Sequence, residues 1–167
     1  HALEVTRVAA QAEGAVRHGD RSPLLPEHAV RAVIAIELAD GRVMLNCRSE
    51  SKAHRRLITI SPDGATNWST PKFDQALLEP ICMAGIVRYS LDKPRILFCN
   101  PDNLSRADGK EEPGKNRDRK NVSIKLSYDE GKTWSVTKSL EPGPSMYSDI
   151  AVAKDGSILC FYGRSTK

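Results

Sequence analysis

Three stretches of this sequence repeat one pattern, and that repeat limits the architectures open to the chain. They are Ile34 to Cys47 around Asp40-Gly41, Ile86 to Cys99 around Asp92, and Asp149 to Cys160 around Asp155-Gly156. Each is a pair of short runs rich in β-branched and aliphatic residues flanking a tight polar turn. Asp-Gly is the strongest short-range hairpin signal, because glycine accepts the positive φ that a two-residue reversal needs. The turn aspartates lie 92 − 40 = 52 and 155 − 92 = 63 residues apart. That spacing is too long for a simple meander and suits four-stranded propeller blades with loops. Unrelated hairpins of a β-sandwich satisfy the hairpin pattern equally well.

A second repeated element favours the propeller. Leu57-Ile58-Thr59-Ile60 runs into Ser61-Pro62-Asp63-Gly64-Ala65-Thr66-Asn67-Trp68, and Val122 to Leu126 runs into Ser127-Tyr128-Asp129-Glu130-Gly131-Lys132-Thr133-Trp134. The later copy fits S-x-D-x-G-x-T-W at every fixed position. Such a turn satisfies itself: Asp caps backbone N–H groups, Gly takes the left-handed position, and Trp folds back as an apolar anchor. Its aspartate is therefore structural and is no candidate acid. From hairpin cysteine to box serine is 61 − 47 = 14 residues in the first unit and 127 − 99 = 28 in the second. The extra length is a polar loop from Asn100 to Lys120, holding Lys115, Arg117, Arg119 and Lys120. A long irregular loop in a compact β domain is a functional candidate, although a solvated charge run is the ordinary reading of those cations.

Composition excludes several function classes. With 25 Lys+Arg against 21 Asp+Glu the net charge is +4; this suits an acidic small-molecule ligand better than nucleic acid, for which the basic loop also lacks accompanying aromatics. No apolar run approaches the ~20 residues of a membrane helix. The chain begins at His1 without a readable leader, as expected of a piece of a longer protein. The cysteines at 47, 82, 99 and 160 form no C-x-x-C pair, and no histidine stands at ligand spacing, so neither a metal nor another cofactor is expected. They read as reduced, structural thiols. Asn67, Asn103 and Asn121 each open a glycosylation triplet, a pattern that also arises by chance.

The box Ser127–Trp134, followed by Pro142-Gly143-Pro144-Ser145-Met146-Tyr147-Ser148-Asp149, resembles the bacterial-type sialidases, exo-α-neuraminidases built as six-bladed β-propellers. Glu37 to Arg48 resembles that family's E-L-x-D-G-x-x-x-x-N-x-R segment. Leu78-Glu79-Pro80-Ile81-Cys82 and Ile96 to Pro101 also have counterparts in order, so the match runs from about Ala35 to Tyr162. The resemblance implies an all-β chain: about three blades of four-stranded antiparallel sheet with Asp-box turns, over residues 33–167, after a poorly matching segment 1–32.

In that family three arginines hold the sialic acid carboxylate, a tyrosine is the nucleophile, a glutamate activates it, and an aspartate is the acid/base. By resemblance, Arg48 corresponds to the second arginine, Arg119 to the third and Tyr147 to the nucleophile, with Asp149 assigned to ordering the Tyr147 loop. A guanidinium fork suits a carboxylate bidentately. A neutral phenol avoids the repulsion that a carboxylate nucleophile would meet at an anomeric carbon already bearing a carboxylate, and sialidases are the tyrosine exception among glycosidases.

The activating glutamate is expected five residues before Glu37, and 37 − 5 = 32 is Ala32. Glu37 does not replace it, since an odd offset along a strand faces the other way, about 16 Å distant. Glu27 could reach the site only through a loop. Gly163 stands where the family's strand continues with Glu. The first arginine and the acid/base belong to upstream blades. The expectation is thus a part of a retaining exo-α-sialidase that is inactive alone, with a sialylated glycan or similar acidic sugar as partner. The alternative is a non-catalytic propeller that binds anionic glycans or a protein. Secretion or a cell-envelope location would follow by family only.

Overall fold

The computed structural model describes residues 30–105 and 119–164. The segment 1–29, including Glu27, and the loop residues Lys115 and Arg117 lie outside the described residues. The described part is all-β: β1 (Val30–Glu37), β2 (Val43–Ser49), β3 (Arg55–Ser61), β4 (Lys72–Leu78), β5 (Gly85–Ser90), β6 (Arg95–Pro101), β7 (Lys120–Ser127), β8 (Val136–Val152) and β9 (Ile158–Arg164). Strands β1 to β4 form one antiparallel sheet in sequence order, and β5 to β9 form a second. These are two four-stranded propeller blades and the opening hairpin of a third.

The 17-residue strand β8 makes the transition. Its first part, up to Pro144, pairs with β7 as the outer strand of the second blade. From Ser145 onward it pairs with β9 as the inner strand of the next. Prolines survive within it because they fall at this crossover, where the ladder with β7 has an irregular register.

Both Asp-Gly reversals form, with Gly41 and Gly156 at φ 84°. Both Asp boxes close on themselves. In the first, Asp63 accepts from the Thr66 hydroxyl (2.6 Å) and the Thr66 and Ala65 N–H groups (2.7 and 2.9 Å), which holds its carboxyl well below the usual carboxylate range. In the second, Asp129 accepts from the Thr133 hydroxyl (2.7 Å) and N–H (2.8 Å), while the Trp134 indole donates to Asp74 in β4 (2.9 Å). Trp134 thereby ties the second blade to the outer strand of the first.

Side-chain alternation builds the core between blades. The β1–β2 face bearing Ile36 and Met44 meets Ile86, Ile96 and Phe98 of the second blade, with Ile34 and Trp134 at its margin. Phe98 is fully buried, its ring centroid 5.7 Å from that of Trp134. The opposite face of the second blade, with Leu97, Cys99 and Val122, packs on Ile150 of the third hairpin. Gly85 permits this approach, since a Cβ there would lie 2.7 Å from Ile150 Cγ2 and 2.9 Å from its backbone nitrogen.

A polar clamp crosses the boundary between the first and second blades at the Asp-box end. Arg88 binds Glu130 with both terminal nitrogens at 2.6 Å, and Glu130 also accepts the Ala39 N–H at 2.7 Å. The Arg88 hydrogen bonds hold the Glu130 carboxyl below its ordinary value of 4.5, against the opposing cost of desolvation. A carboxyl lowered in the folded state stabilises the fold above its unfolded pKa, and that contribution disappears as pH falls through the folded value. The urea midpoint is therefore expected to drop as pH falls below about 4.5, and to drop less steeply in Glu130→Gln; parallel slopes in the two proteins would contradict the clamp.

Candidate functional site

Strand direction sorts the candidate residues to one end of the sheets. β1, β5 and the second part of β8 run away from that end; β2 and β6 run towards it; β7 starts at it. Ala32, Arg48, Arg119 and Tyr147 therefore share this end. The Asp-Gly turns and both Asp boxes lie at the other, roughly a seven-residue strand or ~23 Å away.

Arg48 closes β2. Its partner in the β1–β2 register is Ala32, so the two side chains share one face of the sheet. The same face carries Asn46 two residues earlier, and it turns towards the second blade, as Met44 and Ile36 show. Arg48 is half-buried, and among the described residues its buried Nε has no hydrogen-bond partner. Asn46, fully buried, offers Oδ1 to Arg56 Nε at 2.6 Å. A guanidinium can only donate, so the Asn46 amide nitrogen faces away from it, and that nitrogen is likewise buried and unpartnered. Two orphaned donors on one face, each costing about 1–3 kcal/mol when desolvated, are matched by an oxygen-rich ligand.

Arg119 immediately precedes β7. Its guanidinium donates to the Ile81 carbonyl at 2.6 Å and lies over the Tyr147 ring, with Cζ 5.4 Å from the centroid. Ile81 is itself unusual: φ of 59° is a costly conformation for a β-branched residue. The neighbouring turn is pinned from below. Glu79, fully buried, accepts the Cys82 N–H at 2.8 Å and pairs with the equally buried Arg56 at 2.5 Å. This ion pair fixes the segment Glu79-Pro80-Ile81-Cys82, which in turn presents its carbonyl to Arg119.

The Cys82 thiol reports on both arginines. Burial pushes it up to about 11, while the nearby charges of Arg119 and Arg48 act in the opposite direction. Arginines from two different blades thus lie near the turn that connects β4 to β5, and Arg119 bonds it directly.

Tyr147 stands at the crossover of β8, half exposed, beside a register shift between Ser145 and Ser148. The bonds that fix its loop come from the two serines. Ser145 N–H donates to the Arg119 carbonyl (2.8 Å), the Ser145 hydroxyl accepts the Val122 N–H (3.2 Å), and the Ser148 hydroxyl donates to the Cys99 carbonyl (2.9 Å). Asp149 is exposed and accepts the Ile150 N–H at 2.8 Å. Gly163 leaves room for Met146, whose Cγ would lie 2.5 Å from a Cβ at that position.

Of the residues singled out in the sequence, Arg48, Arg119 and Tyr147 come together at one end, with Ala32 directly across from Arg48. Asn46, Ile81, Ser145, Ser148 and the Arg56–Glu79 pair were not singled out as site residues. Asn46 had a readable signal, since it stands two residues before Arg48 on a strand. Among the described residues no carboxylate hydrogen-bonds the Tyr147 hydroxyl, and no cluster of His, Cys, Asp and Glu could hold a metal. Among the described residues no helix is long and apolar enough to cross a membrane.

Comparison with known proteins gives one consistent result. A family model described as a BNR repeat-like domain matches residues 16–160. A sialidase of Micromonospora viridifaciens is 31% identical over 139 residues, which is 78% of this chain and 20% of that protein. A sialidase of Bacteroides fragilis is 30% identical over 110 residues, 62% of this chain and 18% of its own. Among solved structures, the Hadza microbial sialidase Hz136 superimposes with TM-score 0.55 at 28% identity, covering 73% of this chain and 23% of that one. The NanB sialidase from Streptococcus pneumoniae, at 15% identity, shares the fold with TM-score 0.61 over 78% of this chain and 19% of its own. The chain thus spans about a fifth of the sialidases it resembles.

Proposed function

The chain belongs to the BNR repeat-like domain family, with sialidases as its relatives, and from that membership we propose that it carries the carboxylate-holding and nucleophilic part of a sialidase site. Arg48 and Arg119 bind the carboxylate of a terminal sialic acid, each through charge-assisted hydrogen bonds to its oxygens. The observation that carries this reading is the buried, unpartnered Nε of Arg48 on the face turned towards Arg119's blade.

In the intact protein the Tyr147 oxygen attacks the anomeric carbon as the glycosidic bond breaks. The phenol proton leaves to a base and the departing sugar oxygen gains a proton from an acid supplied by another part of the protein. Water then displaces the phenolate from the anomeric carbon, so two inversions give net retention. Arg119, over the Tyr147 ring, stabilises the phenol as its charge grows and holds the ring in place. Asp149 supports the strand that carries Tyr147 by capping the Ile150 N–H.

Among the described residues no carboxylate stands as a base at Tyr147, and Ala32, opposite Arg48, occupies the position where the resemblance expects a glutamate. The 167-residue chain alone is expected to release no fluorophore from a fluorogenic sialoside. Turnover by this chain, abolished in Tyr147→Phe, would contradict that expectation. Ala32 also favours a second reading, a non-catalytic propeller that binds anionic glycans. In the intact protein, Ala32→Glu separates the two: a large rise in turnover marks a crippled enzyme, and unchanged turnover with sialoside binding intact marks a binding module.

A further inference from the structure

We propose that Cys99 and Cys160 form an oxidisable thiol pair, a covalent modification site that bonds the second blade to the hairpin of the third. Cys99 lies on β6, fully buried; Cys160 lies on β9, half-buried; and their sulfurs are 3.2 Å apart. They belong to different blades, 61 residues apart in sequence, and meet because Ile150 packs against Cys99 while pairing with Cys160 across β8–β9. A disulfide bond is about 2.05 Å long, so closing this contact needs about 1 Å of side-chain movement. The other thiols, Cys47 and Cys82, are buried without a sulfur partner among the described residues and serve as internal controls.

A low-molecular-weight disulfide such as oxidised glutathione is the oxidant. Cys160 is the less buried of the two, so its thiolate attacks one sulfur of the oxidant, forming a mixed disulfide and expelling one glutathione thiolate. The Cys99 thiolate then attacks the Cys160 sulfur, forming the Cys99–Cys160 bond and expelling the second. The two protons lost from the protein thiols end on the two glutathione thiols, and the protein is oxidised by two electrons. Burial raises the Cys99 thiol well above its ordinary value, which makes the second step the slow one. The bond would sit beside the site, because the Cys99 carbonyl already accepts the Ser148 hydroxyl, one residue after Tyr147.

The test equilibrates the 167-residue chain in oxidised and reduced glutathione and maps its proteolytic peptides by mass. The expected result is a linked Cys99–Cys160 peptide pair, lighter by two hydrogens, with Cys47 and Cys82 unmodified. The melting temperature should rise by roughly 10 °C, a shift reversed by reductant and absent in Cys160→Ser. Four free thiols, a lasting glutathione adduct on Cys160 without transfer to Cys99, or links through Cys47 or Cys82 would each overturn the proposal.

Discussion

Replacing Arg56 by alanine is expected to destabilise the protein by about 3–5 kcal/mol, read as a fall in the urea midpoint. Arg56 and Glu79 are exposed to the extent of 1% and 0%, and truncating one strands the other's charge in the interior. The loss reaches further than the pair. Arg56 also donates to Asn46 Oδ1 and lies with Cζ 5.8 Å from the Phe98 ring centroid, so it connects β2, the Glu79–Cys82 turn and the core between blades. Replacing both members by apolar residues of similar volume, Arg56→Met with Glu79→Leu, should recover part of the stability: the desolvation cost disappears with both charges, while Asn46 Oδ1 loses its donor. That double variant should still lose the geometry of Ile81, because nothing would then accept the Cys82 N–H. A single Arg56→Ala variant as stable as the parent would show that the turn is held by other contacts.

The second large effect falls on ligand binding. A guanidinium paired with a carboxylate in a partly desolvated site contributes about 1.5–3 kcal/mol, and each 1.4 kcal/mol is tenfold in affinity. Arg48→Ala and Arg119→Ala should therefore each weaken binding of sialic acid by about tenfold or more. The two should differ in one respect. Arg119 also stacks on Tyr147 and engages Ile81, so its removal loosens the nucleophile as well, whereas Arg48 has no such second role on its Nε.

Much of the fold was legible in the residues because its signals are local. The Asp-Gly reversals and the Asp boxes satisfy their own hydrogen bonds within a few positions, and strand alternation places Leu45 and Cys47 on one face and Met44 on the other. The parts that were not legible depend on contacts between distant residues. β8 runs through Pro142-Gly143-Pro144, because one strand serves as the edge of one blade and the inner strand of the next. Arg56 and Glu79 lie 23 residues apart, and nothing in the spacing marks an arginine on β3 as buried. The site shows the same division. The interval from Ala32 to Glu37 could be counted along one strand, but that Ala32 faces Arg48 depends on register. Arg119 could be named from its position before β7; that its guanidinium lies on the Tyr147 ring depends on two blades meeting.

The account rests on Arg48 and Arg119 acting on one carboxylate. The most direct measurement compares sialic acid with its methyl ester by saturation-transfer NMR on the parent chain and on Arg48→Ala and Arg119→Ala. The account predicts a signal for the acid with the parent chain, little or none for the ester, and a marked loss for the acid in either variant. Equal signals from acid and ester, or an undiminished signal in both variants, would contradict it.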